Sequence, residues 1–295
     1  MKALAVVAHC DDFEFTAGGT FALWQRKLGD EFRARLLVCT DGAAGHHFRT
    51  REETARMRLA EQQAAARIGG VAFQLLQLPD GRIGREGMLQ QEPGFLAALW
   101  KAIRDFEPDY LFCPPLPRDP LAGVHVDHMA VAEAIRRVAY LINVPHAFTP
   151  EYPANESLSQ PCQVPVILNL YDGYQFGANA GDLAIDVEEV FPLICEAGWC
   201  HQSQIREWLP WVGRHNMDVP ATPEDWARTL RARFRRCNGE MGIHSAHAFD
   251  VFNVTAWGEV PTVGQLLSDL PNVCVESSNL NALRRRLAAW RGETE

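Results

Sequence analysis

Apolar residues run unbroken from Ala3 to Ala8 and stop at a histidine, a cysteine and two aspartates. A continuous apolar run of this length predicts a β-strand buried on both faces. The next apolar positions, Phe21, Leu23, Trp24 and Leu28, follow Gly18-Gly19, so the opening reads as strand, tight turn and helix. The alternation repeats with a strand from Ala34 to Thr40, a helix from about Arg51 to Ile68 and a strand from Phe73 to Leu78. A helix from Phe95 to Phe106 and a strand from Tyr110 to Pro114 follow. Strands alternating with helices predict βαβ units, hence an α/β, Rossmann-like fold with a doubly wound, mostly parallel sheet. Such sheets bind ligands beyond the carboxyl ends of their strands, where His9, Thr40-Asp41-Gly42, Pro79-Asp80-Gly81 and Pro115 stand.

His125-Val126-Asp127-His128 opens a further helix through Val131, Ile135 and Leu141, and then the texture changes. Prolines and glycines mark a long irregular segment from Asn143 to Asp182, interrupted by a strand-like run from Val164 to Tyr171. Within it, Tyr171 to Asn179 interleaves aromatic and polar residues, a mixture that suits either a sugar ring or a surface loop with apolar pegs. Beyond lie a strand from Leu183 to Val187, a helix from about Glu188 to Trp208 and another from Thr222 to Asn238. In a last helix Leu280, Leu283, Leu287 and Trp290 share a face, with Arg284-Arg285-Arg286 on its solvated side. No linker or repeat divides the chain. It reads as one α/β domain over 1–295, with 1–142 a Rossmann-like core and 143–295 a C-terminal elaboration of substrate-shaping loops, extra strands and helices.

Composition narrows the partners. With 295 residues, 47% of them hydrophobic, the chain can bury a large core. A net charge of -9 with dispersed basic residues argues against nucleic acid and for a small molecule. The eight cysteines show no Cys-x-x-Cys spacing, so reduced, mostly buried thiols are expected. The N-terminal apolar run is too short for a signal peptide and no segment reaches the ~20 apolar residues of a membrane span. A cytoplasmic protein with no membrane span is expected; a homo-oligomer stays open.

The candidate chemistry lies at two strand ends. His9 and Asp12 can converge on one metal ion, with Asp11 between them in reach of a bound water. His125 and His128 stand three apart at a helix start, where one ring can bind metal and the other face substrate. Two imidazoles and a carboxylate with a fourth position open is the arrangement of a catalytic zinc. Structural alternatives, helix caps and complements to helix dipoles, would explain each motif singly but not their pairing.

The series Ala8-His9-Cys10-Asp11-Asp12-Phe13-Glu14, Gly18-Gly19, Thr40-Asp41-Gly42, Arg58 to Glu61, Leu78 to Gly81, His125 to His128 and His201 to Gln204 resembles the PIG-L or LmbE-like deacetylases. The resemblance implies a zinc-dependent N-deacetylase of an N-acetylglucosamine-type sugar or glycoconjugate. It implies His9, Asp12 and His128 as zinc ligands, Asp11 as general base, His125 as the group that polarises the carbonyl, and Asp127 as an orienter of an imidazole. Two departures concern substrate preference: the family usually has proline at Cys10, and often glutamate where this chain has Phe13, with Glu14 one residue later. Metal-activated water with Asp11 taking its proton is the expected chemistry. His/Asp ligation favours Zn2+ but admits iron, cobalt or nickel.

Arg58, Glu61, Asp80 and His201 are the candidate substrate contacts, Arg58 and Glu61 being equally readable as an ion pair and His201 as a supporting histidine. His46 and His47 lie in a Gly-rich loop, and His244 and His247 lack a carboxylate partner for a second metal. The competing functions are a zinc amidase acting on a larger acyl group and a non-catalytic metal-binding protein. A nucleotide-binding oxidoreductase is disfavoured because the first turn lacks Gly-x-Gly-x-x-Gly.

Overall fold

The computed structural model describes residues 1–154, 161–213 and 217–293. The expected strands and helices of the first half are all present: β1 (Lys2–Val7), α1 (Gly18–Leu28), β2 (Arg33–Val38), α2 (Arg51–Gly69), β3 (Ala72–Leu75), α3 (Pro93–Phe106), β4 (Tyr110–Cys113) and α4 (Val126–Leu141). They are followed by β5 (Val166–Asn169), β6 (Leu183–Asp186), α5 (Phe191–Trp199), α6 (Leu209–Val212), α7 (Pro223–Glu240), β7 (Phe249–Val254), α8 (Val263–Asp269) and α9 (Leu280–Trp290). Residues 155–160 of the irregular segment lie outside the described residues.

The sheet has the order β3-β2-β1-β4-β5-β7-β6. The first five strands in this order are parallel, and β7 runs antiparallel between β5 and β6. The fold is therefore α/β with a mostly parallel sheet, and the strand order reverses between β1 and β4. Both faces of β1 are buried, which is why its sequence is a solid apolar run rather than an alternation. Ala3, Ala5 and Val7 pack with Phe21, Trp24, Ile194 and Leu230 on one face, while Leu4, Val6 and Ala8 pack with Leu99, Trp100, Val131 and Ile135 on the other.

Three expectations change. Gly18 and Gly19 are the first residues of α1 rather than a turn. A Cβ on Gly19 would stand 2.6 Å from Val187, so the glycine lets the helix approach the segment after β6. The helix expected over Glu188 to Trp208 is broken: a 3-10 turn at Glu188–Val190 leads into α5, and a π-helical stretch spans Ser203–Trp208 before α6. Ser203, Gln204 and Ile205 are all buried, which the wider π turn permits and a regular amphipathic helix surface would not. Strand β7 and helix α8 had no periodic signal. In the last helix, Arg286 is not simply solvated but reaches the buried Asp182.

Candidate active site

The β1–α1 and β4–α4 connections meet beyond the strand ends, at the reversal of strand order. His9 lies two residues past the end of β1, and its backbone N–H donates to Asp12 Oδ2 at 2.9 Å. His125 caps α4, its Nδ1 accepting the Asp127 N–H at 3.2 Å, which leaves Nε2 as its free nitrogen. Asp127 and His128 occupy the first turn of that helix.

Three donor groups face one another. His9 Nδ1 lies 3.3 Å from His128 Nε2 and 3.6 Å from Asp12 Oδ2, and His128 Nε2 lies 3.4 Å from Asp12 Oδ1. Tetrahedral bonds of 2.0–2.1 Å to a zinc ion separate neighbouring ligand atoms by about 3.3 Å, so the His9–His128 separation is of the size such an ion requires, with each Asp12 oxygen facing one of the two imidazoles. His125 adds a third imidazole: one nitrogen from each of His9, His125 and His128 lies within 4.8 Å of the others.

The outer nitrogens of the two facing rings are aimed at carboxylates. His9 Nε2 lies 3.0 Å from Asp127 Oδ2, and Asp127 also accepts the N–H groups of Gly87 at 2.7 Å and Leu89 at 3.2 Å. His128 Nδ1 lies 3.5 Å from Asp172 Oδ2, just past β5. Such carboxylate–imidazole pairs fix the ring orientation and tautomer of metal-binding histidines.

Electrostatics follow from burial among opposite charges. Burial opposes the charge on His9, but hydrogen bonds to Asp12 and Asp127 outweigh it and raise its pKa to about 9. His128 is raised well above its ordinary value, burial being overcome by Asp12 and Asp172. Asp12 is held well below the carboxylate range despite burial, chiefly by His128. His125 goes the other way: burial and the neighbouring His9 and His128 lower it to about 4, leaving it neutral.

Asp11 is set apart from its neighbour. Burial raises its pKa to about 6, with Arg58 pulling it partly back. Its backbone φ is 92°, a left-handed value that non-glycine residues seldom adopt. Its N–H donates to Gln62 Oε1 at 2.9 Å, and Gln62 Nε2 donates to Glu14 Oε1 at 2.7 Å. Arg58 reaches Asp11 Oδ1 at 3.3 Å, the Cys10 carbonyl at 2.6 Å and Glu86 Oε1 at 3.1 Å. Glu86 also accepts N–H bonds from Ala44 and Gly45, and a Cβ on Gly45 would stand 2.8 Å from Arg58.

These groups form the polar end of a cavity of about 700 Å³. His9, Asp11, Asp12, His125, His128 and Arg58 line it together. Asp127 does not reach it, standing fully buried behind His9. His201 is fully buried with Nε2 3.4 Å from Glu14 Oε2, so it lies behind the wall and contacts no ligand space. Glu61 accepts from Ser203 N at 2.8 Å and Ser203 Oγ at 2.6 Å instead of pairing with Arg58. Asp80 belongs to an exposed turn, bonded to Arg82 at 2.6 Å, and does not line the cavity. The proline and glycine beside it made a tight turn, not a ligand-binding strand end.

Other expectations resolve similarly. Tyr171, Asp172, Gly173 and Tyr174 line the cavity, while Phe176 points to solvent. His46 bonds Glu207 at 2.7 Å and His47 stacks on Trp211 at 4.6 Å. His247 pairs with Asp186 at 2.7 Å, and among the described residues it joins no metal-binding group. Burial pushes the Cys10 thiol up to about 12, and Cys10 does not line the cavity. Glu86, Asp172, Gln62 and Gln204 were not anticipated as site residues; only Asp172, just past a strand end like His9, carried a positional signal.

Residues 4–139, which hold both histidine motifs, match the PIG-L family, described as GlcNAc-PI de-N-acetylase. Among solved structures, the chain is similar to the N,N'-diacetylchitobiose deacetylase of Pyrococcus horikoshii, with 19% identity, TM-score 0.65, and 87% of this chain and 84% of that one covered. It is similar to the 4-carboxy-2-hydroxymuconate hydratase GalB of Pseudomonas putida, with 17% identity, TM-score 0.59, and 86% and 95% covered. A deacetylase of the teicoplanin biosynthetic pathway aligns with 14% identity, TM-score 0.52, and 87% and 99% covered. No curated protein matches the sequence. At these identities the structural likenesses establish the fold alone.

Proposed function

From a chain whose residues 4–139 match the PIG-L family, we propose a metal-dependent hydrolase that removes an acetyl group from an N-acetylglucosamine-type sugar or glycoconjugate. The observation that carries this reading is the triangle of His9, Asp12 and His128 with Asp11 standing beside it and outside it. A protein that merely stored a metal would have no use for a second, separately held carboxylate. In this reading residues 1–142 carry the metal motifs and 143–295 shape the substrate, within one α/β unit.

His9, Asp12 and His128 would hold the ion, Zn2+ being the best match to two imidazoles and a carboxylate. When bound, it would supply a Lewis acid for the amide carbonyl and for water. The remaining steps belong to side chains. Asp11, raised toward neutrality and steadied by Arg58, takes a proton from the attacking water. His125 is neutral, and because its Nδ1 accepts the Asp127 N–H its own proton sits on Nε2, making it a donor to the developing oxyanion. Asp11 returns its proton to the amide nitrogen as the C–N bond breaks, giving acetate and a free amine. Asp127 and Asp172 orient the two ligand imidazoles. Arg58 binds Asp11 and Glu86 rather than the sugar; Tyr174, whose ring lies 5.1 Å from that of His125, takes the place of a sugar platform at the site. Glu61, Asp80 and His201 act outside substrate contact.

The deciding experiment measures acetate release from N-acetylglucosamine derivatives by the protein as isolated, after chelation and after Zn2+ restoration. Metal-dependent release supports the reading. A chain that binds one metal yet releases no acetate would instead be an amidase of larger acyl groups, a non-catalytic metal protein or, like GalB on this fold, an enzyme that adds water to a carbon skeleton. A chain that binds no metal overturns it.

A further inference from the structure

The loop after β5 brings two groups to the site. Asp172 Oδ2 lies 3.5 Å from His128 Nδ1, and the Tyr174 ring lies 5.3 Å from that of His128. The regular structure of the loop is a single 3-10 turn, Gly173–Gln175, with Phe176 and Gly177 exposed beyond it. A segment with so few internal backbone bonds takes its shape from what grips it. On its inner side Gln175 Nε2 donates to the Pro115 carbonyl at 3.2 Å.

On the outer side the grip is a carboxylate. Glu240, the last residue of α7, accepts from both limbs of the loop. Its Oε2 accepts the Tyr171 hydroxyl on the incoming limb. Its Oε1 accepts the Gly177 N–H at 2.7 Å and Asn179 Nδ2 at 3.2 Å on the outgoing limb. Gly177 has φ 86°, a left-handed value that glycine adopts without strain. Asn179 carries the contact inward: its Oδ1 accepts the Asp172 N–H at 2.9 Å, and its Nδ2 donates to the Asp172 carbonyl at 2.9 Å. A hydrogen-bonded path thus runs from Glu240 through Asn179 to both backbone polar groups of Asp172, whose side chain faces His128.

The same face of α7 also reaches the other histidine motif. Arg233, about two helical turns before Glu240, donates through Nη1 to the Phe15 carbonyl at 3.1 Å, in the turn that carries His9 and Asp12. Asp172, Asn179 and Glu240 all lie outside residues 4–139.

We propose that Glu240 is a positioning residue for the metal site: by closing the loop around Asn179 it sets the direction of the Asp172 carboxylate and, through it, the ring of His128. The inference rests on the reading of His128 as a metal ligand for its affinity test, and on the hydrogen-bonded path alone for its spectroscopic test.

Zn2+ affinity, measured by competition with a chromophoric chelator beside each variant's melting temperature, is the first test. Asp172→Asn should weaken binding about 10–100-fold, the usual effect of losing a carboxylate behind a ligand histidine. Glu240→Ala acts through that carboxylate and should cost about tenfold; added to Asp172→Asn it should cost little more, because both act on one contact. Glu240→Gln should stay close to the parent, since its amide oxygen still accepts the Gly177 and Asn179 donors and its amide nitrogen faces the Tyr171 oxygen. Asn179→Ala cuts the path in its middle and should match Glu240→Ala, which keeps the test in hand where Glu240→Ala folds poorly. Parent-like affinity in Asn179→Ala or in folded Glu240→Ala, or a loss that adds in full to that of Asp172→Asn, overturns the inference and leaves the hydrolase reading intact. In the metal-free chain, the nitrogen resonances of the His128 ring, assigned by their loss in His128→Gln, should shift in Glu240→Ala and Asn179→Ala and return in Glu240→Gln. A chain that binds no Zn2+ overturns the hydrolase reading, and these resonances then decide the inference: moved in both variants they uphold it, unmoved they overturn it.

Discussion

Asp11 is held in a left-handed backbone conformation, φ 92°, by Gln62, whose side-chain oxygen accepts the Asp11 N–H at 2.9 Å. Strain of this kind costs on the order of 1–3 kcal/mol and persists only where surrounding contacts impose it. Here the contacts form a chain, because Gln62 is itself fixed by Glu14 and Glu14 faces His201. Replacing Gln62 with leucine should leave metal content unchanged and lower kcat at least tenfold. The double variant Glu14→Gln with Gln62→Glu reverses the order of donors and acceptors and should recover most of that loss. Full activity in Gln62→Leu, measured beside its melting temperature, would detach this contact from catalysis.

Asp11→Asn keeps the shape of the side chain, and asparagine tolerates a positive φ. It should bind metal like the parent and lose about 10²–10⁴-fold in kcat, the usual contribution of a general base. Metal analysis and acetate release on the same preparation separate the two effects.

Activity should fall on the acid side. Asp11 must be ionised to accept a proton, and its pKa is raised to about 6. The rate should therefore be half-maximal near pH 6 and drop about tenfold per unit below it. Asp11→Asn should remove this limb from any residual activity.

The metal-free chain should show the opposite sign at higher pH. His9 is raised from 6.5 to about 9, so its ion pairs contribute stability that is complete below about pH 6.5 and lost as pH rises toward 9. An ion binding there displaces those protons, so uptake should release protons and its apparent affinity should weaken as pH falls. Titration calorimetry in buffers of different ionisation enthalpy measures that release.

Asp127→Asn weakens the partner of His9 Nε2 without emptying its place. The expected result is a 10–100-fold loss of metal affinity with the fold intact. By contrast, Asp80→Ala should change neither kcat nor KM, because that side chain lies on an exposed turn outside the cavity. An effect of Asp80→Ala on KM would mean the turn folds over bound substrate.

The legible parts of this chain were those in which one physical demand dominates. A strand buried on both faces must be apolar throughout, so β1 and its flanking helices were readable, and with them the strand end beyond which His9 stands; the amphipathic run of α4 marked the helix start that holds His128. Asp127 was identifiable as an orienter but not by which ring it orients, since that depends on a contact 118 residues away. Glu86 and Gln62 act through long-range hydrogen bonds that leave no periodic trace. Asp80 misled because a turn at the end of β3 looks the same in sequence whether it faces the cavity or solvent. The break between α5 and α6 was hidden because the π turn uses ordinary helix-forming residues. It is visible only in the consecutive burial of Ser203, Gln204 and Ile205.

The cavity draws its polar residues from the β1–α1 and β4–α4 connections and much of its apolar wall from α6 and α7, which has a consequence for mutational tolerance. Each polar residue is fixed by a specific partner at hydrogen-bond distance, so nearly every substitution there removes a contact that nothing else replaces. The apolar wall answers to volume rather than to direction, and swaps among residues of similar size cost little. A population of variants could thus drift widely in what fills the wall while the chemistry at the other end stays fixed.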